Sequence, residues 1–410
     1  MKQVIFKSKN LYWLLSALIV FGFASCKKEH ANLVGGTGAP VITSVSTLSK
    51  TVTNSSDSVS VTTYDNTGVP TTVKNPAPAQ VVAFDSLTAT GNKGNYYVIR
   101  GTNLGSVTSV QFNGISAYFN SALVSDNAIF VSIPSNVPTV NQSNKITVTT
   151  LHGKVNFSFT VLTPPPTISG VSDFDFTAGS QITLTGVSFA SVSKVGLVGS
   201  TATATIVSQT DAQIVLTMPS ATVNRTNLIF TYASGTVTAP TEFVDLDNAY
   251  QIFVNNTFEN GWIDASWSGP SGLSTAASHS GTSSLLATYP AGGWKIEGWA
   301  DWNQPGKFVY DPTYKYFTFW VKGGTVDHTL NIEGDQMVNG YGQNGNFPIV
   351  VPAKVWTYFK IPLGAPSSTS ATLLNLWANG TVAQQLGFFL KGQSGDVDET
   401  YYFDEVAFVR

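Results

Sequence analysis

Along most of this chain apolar residues recur at every second position in short runs, and Gly, Asn, Pro and Ser break the runs apart. Phe317-Thr318-Phe319-Trp320-Val321 and Leu374-Asn375-Leu376-Trp377 are examples. A period of two places successive side chains on opposite faces of a strand, so these runs predict short β-strands. Beyond residue 26 no stretch carries a helical period, and the chain reads as all-β. One run departs from the pattern. Leu11 to Phe23 is continuously apolar, follows Lys2, Lys7 and Lys9, and ends in Ala24-Ser25-Cys26. About 13 apolar residues fall short of the ~20 that cross a bilayer, so the segment predicts a secretory signal at residues 1–25.

The middle of the chain repeats itself. Val107-x-x-Val110-x-Phe112-x-Gly114 recurs 85 positions on as Val192-x-x-Val195-x-Leu197-x-Gly199. Ile129-x-x-x-Ile133-Pro134-Ser135 recurs at the same offset as Ile214-x-x-x-Met218-Pro219-Ser220, and Ile99-x-Gly101 as Leu184-x-Gly186. Blocks in one register indicate two copies of one β module. The entry strands break that offset. Pro40-Val41-Ile42-Thr43-Ser44-Val45 matches Pro166-Thr167-Ile168-Ser169-Gly170-Val171, 126 positions on. Copy one therefore carries an insertion of about 41 residues between Val45 and Gly94, expected as a long hairpin or a loop. The copies span 39–163 and 164–245, with Pro164-Pro165-Pro166 a stiff extended linker between them.

Tyr97-Val98-Ile99-Arg100-Gly101-Thr102-Asn103-Leu104-Gly105 followed by Val110-Gln111-Phe112-Asn113-Gly114 resembles the immunoglobulin-like IPT/TIG domain. Asn113-Gly114 predicts a type I′ hairpin turn, and Gly101 and Gly105 suit turns with positive φ. The second copy keeps Gly186 and Gly199 but has Val187-Ser188-Phe189 for the Thr-Asn-Leu triplet. The resemblance implies sandwiches without chemistry of their own.

Composition narrows the function. Charged residues make up 11% of the chain and the net charge is −3, with no basic patch suited to nucleic acid. Cys26 is the one cysteine, so no disulfide can form within the chain. The four histidines have no metal-ligand spacing, and no nucleophile motif or phosphate loop is present, so no catalytic residue, metal or cofactor is assigned. Tryptophan is distributed unevenly. Eight of nine lie after residue 261, and the ninth is Trp13. Two plain modules thus precede one aromatic-rich domain at 246–410.

Indole faces pack on the C–H faces of sugar rings, while sugar hydroxyls need directed polar partners. Alternation puts Trp377 on a face with Asn375 and Asn379, Trp299 with Lys295 and Glu297, and Asn331 with Glu333, away from Leu330 and Ile332. The predicted glycan contacts are Trp294, Trp299, Trp302, Trp377, Glu297, Asn331, Glu333 and Tyr341, the last in the Gly-rich loop Asn339–Gly345. Trp320 and Trp356, in dense apolar strands, are expected to pack, and Trp262 and Trp267 rank below the predicted contacts.

Phe23-Ala24-Ser25-Cys26 resembles the bacterial lipobox, which implies acylation of Cys26 and a flexible tether over 26–38. Phe258-Glu259-Asn260-Gly261-Trp262 and Tyr401-Tyr402-Phe403-Asp404 resemble the first and last strands of jelly-roll carbohydrate-binding modules. Taken together, the chain resembles the surface glycan-binding lipoproteins of Bacteroidetes polysaccharide-utilisation loci, of the type with a xyloglucan-binding C-terminal domain. That resemblance implies an outer-membrane, surface-exposed protein that holds a β-linked plant polysaccharide without cleaving it, beside a glycan transporter and surface glycosidases. A surface adhesin and a glycoside hydrolase are the alternatives. Glu297, Glu333 and Asp335 are available as carboxylates, but about 160 residues is small for a catalytic barrel. Replacing Cys26 with Ala is expected to abolish fatty-acid labelling and leave a soluble or unprocessed form. A Cys26→Ala protein that still labels and stays at the surface would place the anchor elsewhere.

Overall fold

The computed structural model describes residues 36–52, 58–64, 70–76, 80–302, 308–342 and 347–410, with backbone alone at 51, 58–64 and 70–76. Cys26 and most of the tether lie outside the described residues. The chain forms two compact units that part between Pro164 and Pro165. Regular structure is almost entirely β. The helical pieces among the described residues are three short 3-10 turns at Ser121–Leu123, Phe189–Ser191 and Leu246–Asn248.

The first unit is a sandwich. Val41–Thr47, Tyr96–Thr102 and Ala128–Ser132 form one sheet; Gly153–Ser158, Lys145–Thr150, Val107–Phe112 and Ile115–Ala117 form the other. Alternate residues such as Val45, Ile99, Phe112, Ile129 and Val148 fill the space between. The insertion takes the form of nested antiparallel ladders, Ser49–Val52 with Gln80–Ala83 and Ser58–Tyr64 with Pro70–Pro76. Asn113 and Gly114 have φ of 48° and 87°, as a type I′ turn requires. Gly101 is needed for a different reason from the one its sequence context suggests. Its φ is not positive; a Cβ there would lie 1.8 Å from the Val41 carbonyl oxygen, where the neighbouring strand bulges inward. Asn103 takes the left-handed φ instead, at 60°. The second module repeats both features, with Gly186 against the Thr167 carbonyl (1.9 Å for a Cβ) and Ser188 at φ 64°. Leu104 and Phe189, next in each module, are fully buried.

In the second unit eight strands between Thr167 and Asp245 form one continuous hydrogen-bonded path that wraps a core of Leu184, Val195, Ile214, Phe230 and Phe243. A larger two-sheet sandwich follows. Its first sheet is built on the long strand Glu399–Val409, flanked by Ser284–Tyr289 and Tyr250–Val254 on one edge and Tyr316–Lys322 on the other. Its second sheet runs Ile263–Asp264, Trp294–Ala300, Gln385–Lys391, His328–Gly334, Phe347–Val351. Trp262, Phe317, Phe319, Leu330, Phe388 and Phe403 are among the side chains packed between them.

Module and sandwich share a buried junction. Val244, Leu246, Val254, Ala407 and Val409 form a small apolar cluster there. Trp320 belongs to this junction rather than to the sandwich core. Phe317, Phe319 and Val321 point inward, so the strand's alternation turns Trp320 the other way. It is buried by the His279 imidazole stacked at 3.7 Å, by Tyr358, and by Phe174 of the module. Glu242 of the module accepts from Arg225 (3.1 Å) and pairs with Lys360 of the sandwich.

The junction also buries acid. At Glu405 the last strand shifts register and takes φ 50°. Glu405, Asp173, Asp175 and Ser280 line a cavity of about 340 Å³, and one carboxylate oxygen each of Asp175 and Glu405 has no hydrogen-bond partner. Asp404 beside them accepts from the backbone N–H groups of His279 (2.9 Å) and Ser280 (3.2 Å). Burial, reinforced by Asp173, holds Asp175 well above the carboxylate range. Burial pushes Glu405 up to about 8 and Asp404 up to about 6. Carboxyls whose folded pKa is raised stabilise most fully below their unfolded values near 4, and that contribution is lost as pH rises through 6 to 8. His279, lowered by burial, acts in the opposite sense and loses its contribution as pH falls below its ordinary 6.5. The denaturation midpoint of the second unit, followed by tryptophan fluorescence, is therefore expected to fall between pH 5 and pH 8. Glu405→Gln is expected to flatten that slope; an equally steep slope in the variant would show that the junction acids do not set it.

Candidate functional site

The strand Trp294–Ala300 decides the site. Its alternation separates Lys295, Glu297 and Trp299 from Trp294, Ile296 and Gly298. The sequence grouping is therefore right, but the face is reversed: the set with the charged residues points into the sandwich. Trp299 is fully buried between Phe388 and Phe403, at centroid distances of 5.5 and 5.9 Å. The buried polar atoms find partners inside. Glu297 accepts from Ser266 Oγ (3.0 Å) and Trp299 Nε1 (3.3 Å), and Lys295 Nζ donates to the Ser268 carbonyl (2.9 Å) and lies 3.9 Å from Glu297. Burial pushes Glu297 up to about 8 and lowers Lys295. Neither Trp299 nor Glu297 presents a surface to a ligand.

Trp377 is also buried, and for another reason. Leu374–Asn379 is a turn, where a period of two has no meaning. The Trp377 backbone N–H donates to Asn375 Oδ1 (3.1 Å), and its indole sinks among Phe308, Tyr310 and Phe408. Trp302 is 47% exposed but stands past the strand end, outside the groove described next.

The opposite face of the same sheet is open. Trp267 exchanges backbone hydrogen bonds with Ile296 (2.9 and 3.1 Å), which brings its side chain onto this face. Cross-strand partners then run in one row, Trp267, Ile296, Phe389, Asn331, Pro348, with Trp294 opposite Lys391 beside it. A groove of about 370 Å³ is lined by Trp267, Trp294, Ile296, Tyr341, Phe389 and Lys391. Trp267 and Trp294 are 50% and 45% exposed, while Ile296 and Phe389 form a buried floor. Asn331 is half-buried further along the row; Glu333 belongs to this face but is covered, opposite Gly387.

Tyr341 comes to the groove from the loop and lies over two glycines. A Cβ on Gly298 would meet its hydroxyl at 2.2 Å, and one on Gly387 at 2.9 Å. Those positions must lack side chains for the ring to settle there. The hydroxyl is buried without a hydrogen-bond partner, and burial raises its pKa above the usual tyrosine value. Trp267 and Tyr341 meet edge to face at 6.3 Å. Sequence reasoning ranked Trp267 low and did not name Phe389 or Lys391. A signal for Trp267 existed, since its neighbours two positions away are Ala265 and Gly269, with no bulky apolar partner. Among the described residues no group of three or more acidic, histidine or cysteine side chains is placed to hold a metal ion.

Residues 166–244 match the model of the IPT/TIG domain family. This is the second copy, whose Val-Ser-Phe triplet departs from the first. No curated protein matches the chain. Among solved structures, a surface glycan-binding protein of the SGBP-B type from Prevotella bryantii is similar at 18% identity and TM-score 0.51, over 91% of this chain and 99% of that one. An SGBP-B from a complex xyloglucan utilization locus in Bacteroides uniformis aligns at 15% identity and TM-score 0.39, over 78% and 96%. An SGBP-B from a mixed-linkage glucan utilization locus in Bacteroides ovatus, in complex with a mixed-linkage heptasaccharide, aligns at 12% identity and TM-score 0.29, over 92% and 93%. The first of these supports a shared all-β architecture along nearly the whole chain.

Because Trp299 and Trp377 fill core volume, Trp299→Ala and Trp377→Ala are each expected to destabilise the sandwich by about 3 to 5 kcal/mol. Denaturant unfolding of the two variants measures this; a loss below about 1 kcal/mol would mean the indoles are not core.

Proposed function

We propose that this protein is a non-catalytic, cell-surface glycan-binding lipoprotein that captures a neutral β-linked plant polysaccharide on the outer face of its terminal sandwich. The observation that carries the reading is the pair Trp267 and Trp294, half-exposed on one sheet face above an apolar floor and beside Tyr341. Flat aromatic surfaces left open to water at this density are costly unless something covers them, and sugar rings offer matching C–H faces. Lys391 at the rim can donate to hydroxyls. Trp294 and Tyr341 thus keep the role assigned from the sequence, and Asn331 extends the same row.

The lining supports binding without cleavage in this reading. Glycoside hydrolysis needs two carboxylates across the scissile bond. The groove lining contains none, and Glu297 and Glu333 are buried. In this reading Cys26 carries the lipid that anchors the protein to the outer membrane, the two IPT/TIG-like modules act as spacers, and captured glycan passes to a neighbouring transporter and surface glycosidases. Xyloglucan and mixed-linkage β-glucan are the first ligands to test, given the resemblance of the whole chain to surface proteins of that kind.

Hot-spot aromatics typically contribute on the order of 2 kcal/mol each, which is roughly thirtyfold in affinity. Trp267→Ala and Trp294→Ala are therefore each expected to weaken binding about thirtyfold in calorimetric titration with either glucan, with thermal unfolding nearly unchanged. Undiminished binding by both variants would move the site off this face, and release of reducing sugar by the wild type would make the protein a hydrolase.

A further inference from the structure

The cavity between the second module and the sandwich lies apart from the aromatic groove, against the sheet built on Glu399–Val409. Three of its lining residues are acids: Asp173 and Asp175 from the module and Glu405 from the sandwich. Among the described residues that line it none is cationic. Asp175 and Glu405 are 2% and 4% exposed, and each leaves one carboxylate oxygen without a hydrogen-bond partner. A carboxyl buried in this way keeps its proton more readily than it carries a charge.

The groups around Glu405 do little to offset that charge. Asp404 precedes it in the strand, and Asp173 and Asp175 raise the cost of ionisation from the module side. From the sandwich loop, His279 places Nδ1 3.6 Å from Asp173 Oδ2, but its ring is stacked on Trp320 and burial favours its neutral form. Tyr358, opposite Trp320, is held neutral by burial. Asp247 of the module accepts from the Ala178 backbone N–H (2.7 Å). Lys360 and Arg225 both pair with Glu242 instead. The backbone is poised as well. At φ 50° Glu405 holds a conformation that a glutamate rarely takes, and such strain persists only while neighbouring contacts enforce it. Those contacts are the Ser280 hydroxyl, which donates to Glu405, and the two backbone N–H bonds that Asp404 accepts from His279 and Ser280.

We propose that this junction is a proton-operated latch: with Asp175 and Glu405 protonated the second module is clamped on the sandwich, and when both are ionised the two part locally while each stays folded. Burial supports the direction, since it holds Asp175 well above the carboxylate range and Glu405 at about 8. A carboxyl raised in this way favours the closed form most fully below its ordinary value near 4, and that contribution is lost as pH rises through its folded value. The latch therefore opens between about pH 6 and pH 9. His279 acts in the opposite sense, and only as pH falls below 6.5. The inference is independent of the glycan-binding reading. It also differs from the shift in denaturation midpoint, because a latch loses protection at the junction alone.

The test is hydrogen exchange of the full chain, read by mass spectrometry at pH 6 and at pH 9, with each rate corrected for the intrinsic effect of pH. Peptides over Asp173–Ala178 and Ala277–Ser280 report on the junction, and peptides over Leu285–Tyr289 and Leu386–Leu390 report on the sandwich core. Junction protection is expected to fall about tenfold between the two pH values, as one proton lost over one pH unit requires, with core protection unchanged. In Asp175→Asn combined with Glu405→Gln, which keeps the side-chain shapes and removes the titration, junction protection is expected to be the same at both pH values. If that double variant fails to fold, Glu405→Gln alone serves, and the fall is expected to shrink. Equal junction protection at both pH values in the wild type overturns the proposal. Loss of core protection in step with the junction does so too, since the protein would then be unfolding as a whole. An undiminished fall in a folded variant would equally place the switch on other groups.

Discussion

The terminal sandwich depends on one inward-facing stripe, Lys295, Glu297 and Trp299. Burying a carboxyl and an amine side by side is expensive, and the loss of water is repaid only when hydrogen bonds complete the set. Here Ser266, the Trp299 indole and the Ser268 carbonyl complete it. Ser266 and Ser268 both come from the segment that runs alongside this strand, so satisfying the buried pair also fixes Trp267 against Ile296. With that segment in place, Trp267 and Trp294 emerge on the opposite face. The open aromatic surface is thus the outer side of a strand whose inner side is locked.

Two glycines complete the arrangement. Gly298 and Gly387 lie in adjacent strands one row from the floor residues, and Tyr341 occupies the volume their side chains would take. A side chain at either position would displace the ring from the wall of the aromatic groove. The floor itself is rigid for an ordinary reason: Ile296 and Phe389 sit on strands paired on both edges, so the aromatics stand on a surface with little freedom to move. The second IPT/TIG-like module braces the other sheet. Trp320, His279 and Phe174 interleave there, while the carboxyls around Glu405 make the same contact sensitive to protons. Module and sandwich consequently form one compact unit, and residues 246–410 are part of a larger body than their sequence alone suggests.

Much of this was legible in the chain. A period of two over short runs fixes an all-β protein, because strand geometry admits no other reading of that pattern. The repeat at an offset of 85 shows two modules, the family match falls on the second, and the gathering of tryptophan after residue 261 points to the domain that carries the candidate site. Alternation even sorted the residues of Trp294–Ala300 into the correct two sets, and it set Asn331 and Glu333 on the same face. It could not say which set faces out, since polarity argued for Lys295 and Glu297 outside, and buried partners supplied by Ser266 and Ser268 reversed that balance. Nor could it see that Leu374–Asn379 is a turn, that Trp320 is covered by a different module, or that Gly101 is required by an approaching carbonyl instead of a positive φ. Each of these depends on what a distant segment brings to the residue. Local sequence determines the period of a strand and the sets it makes; only the tertiary packing, by supplying or withholding hydrogen-bond partners and volume, decides which set meets water.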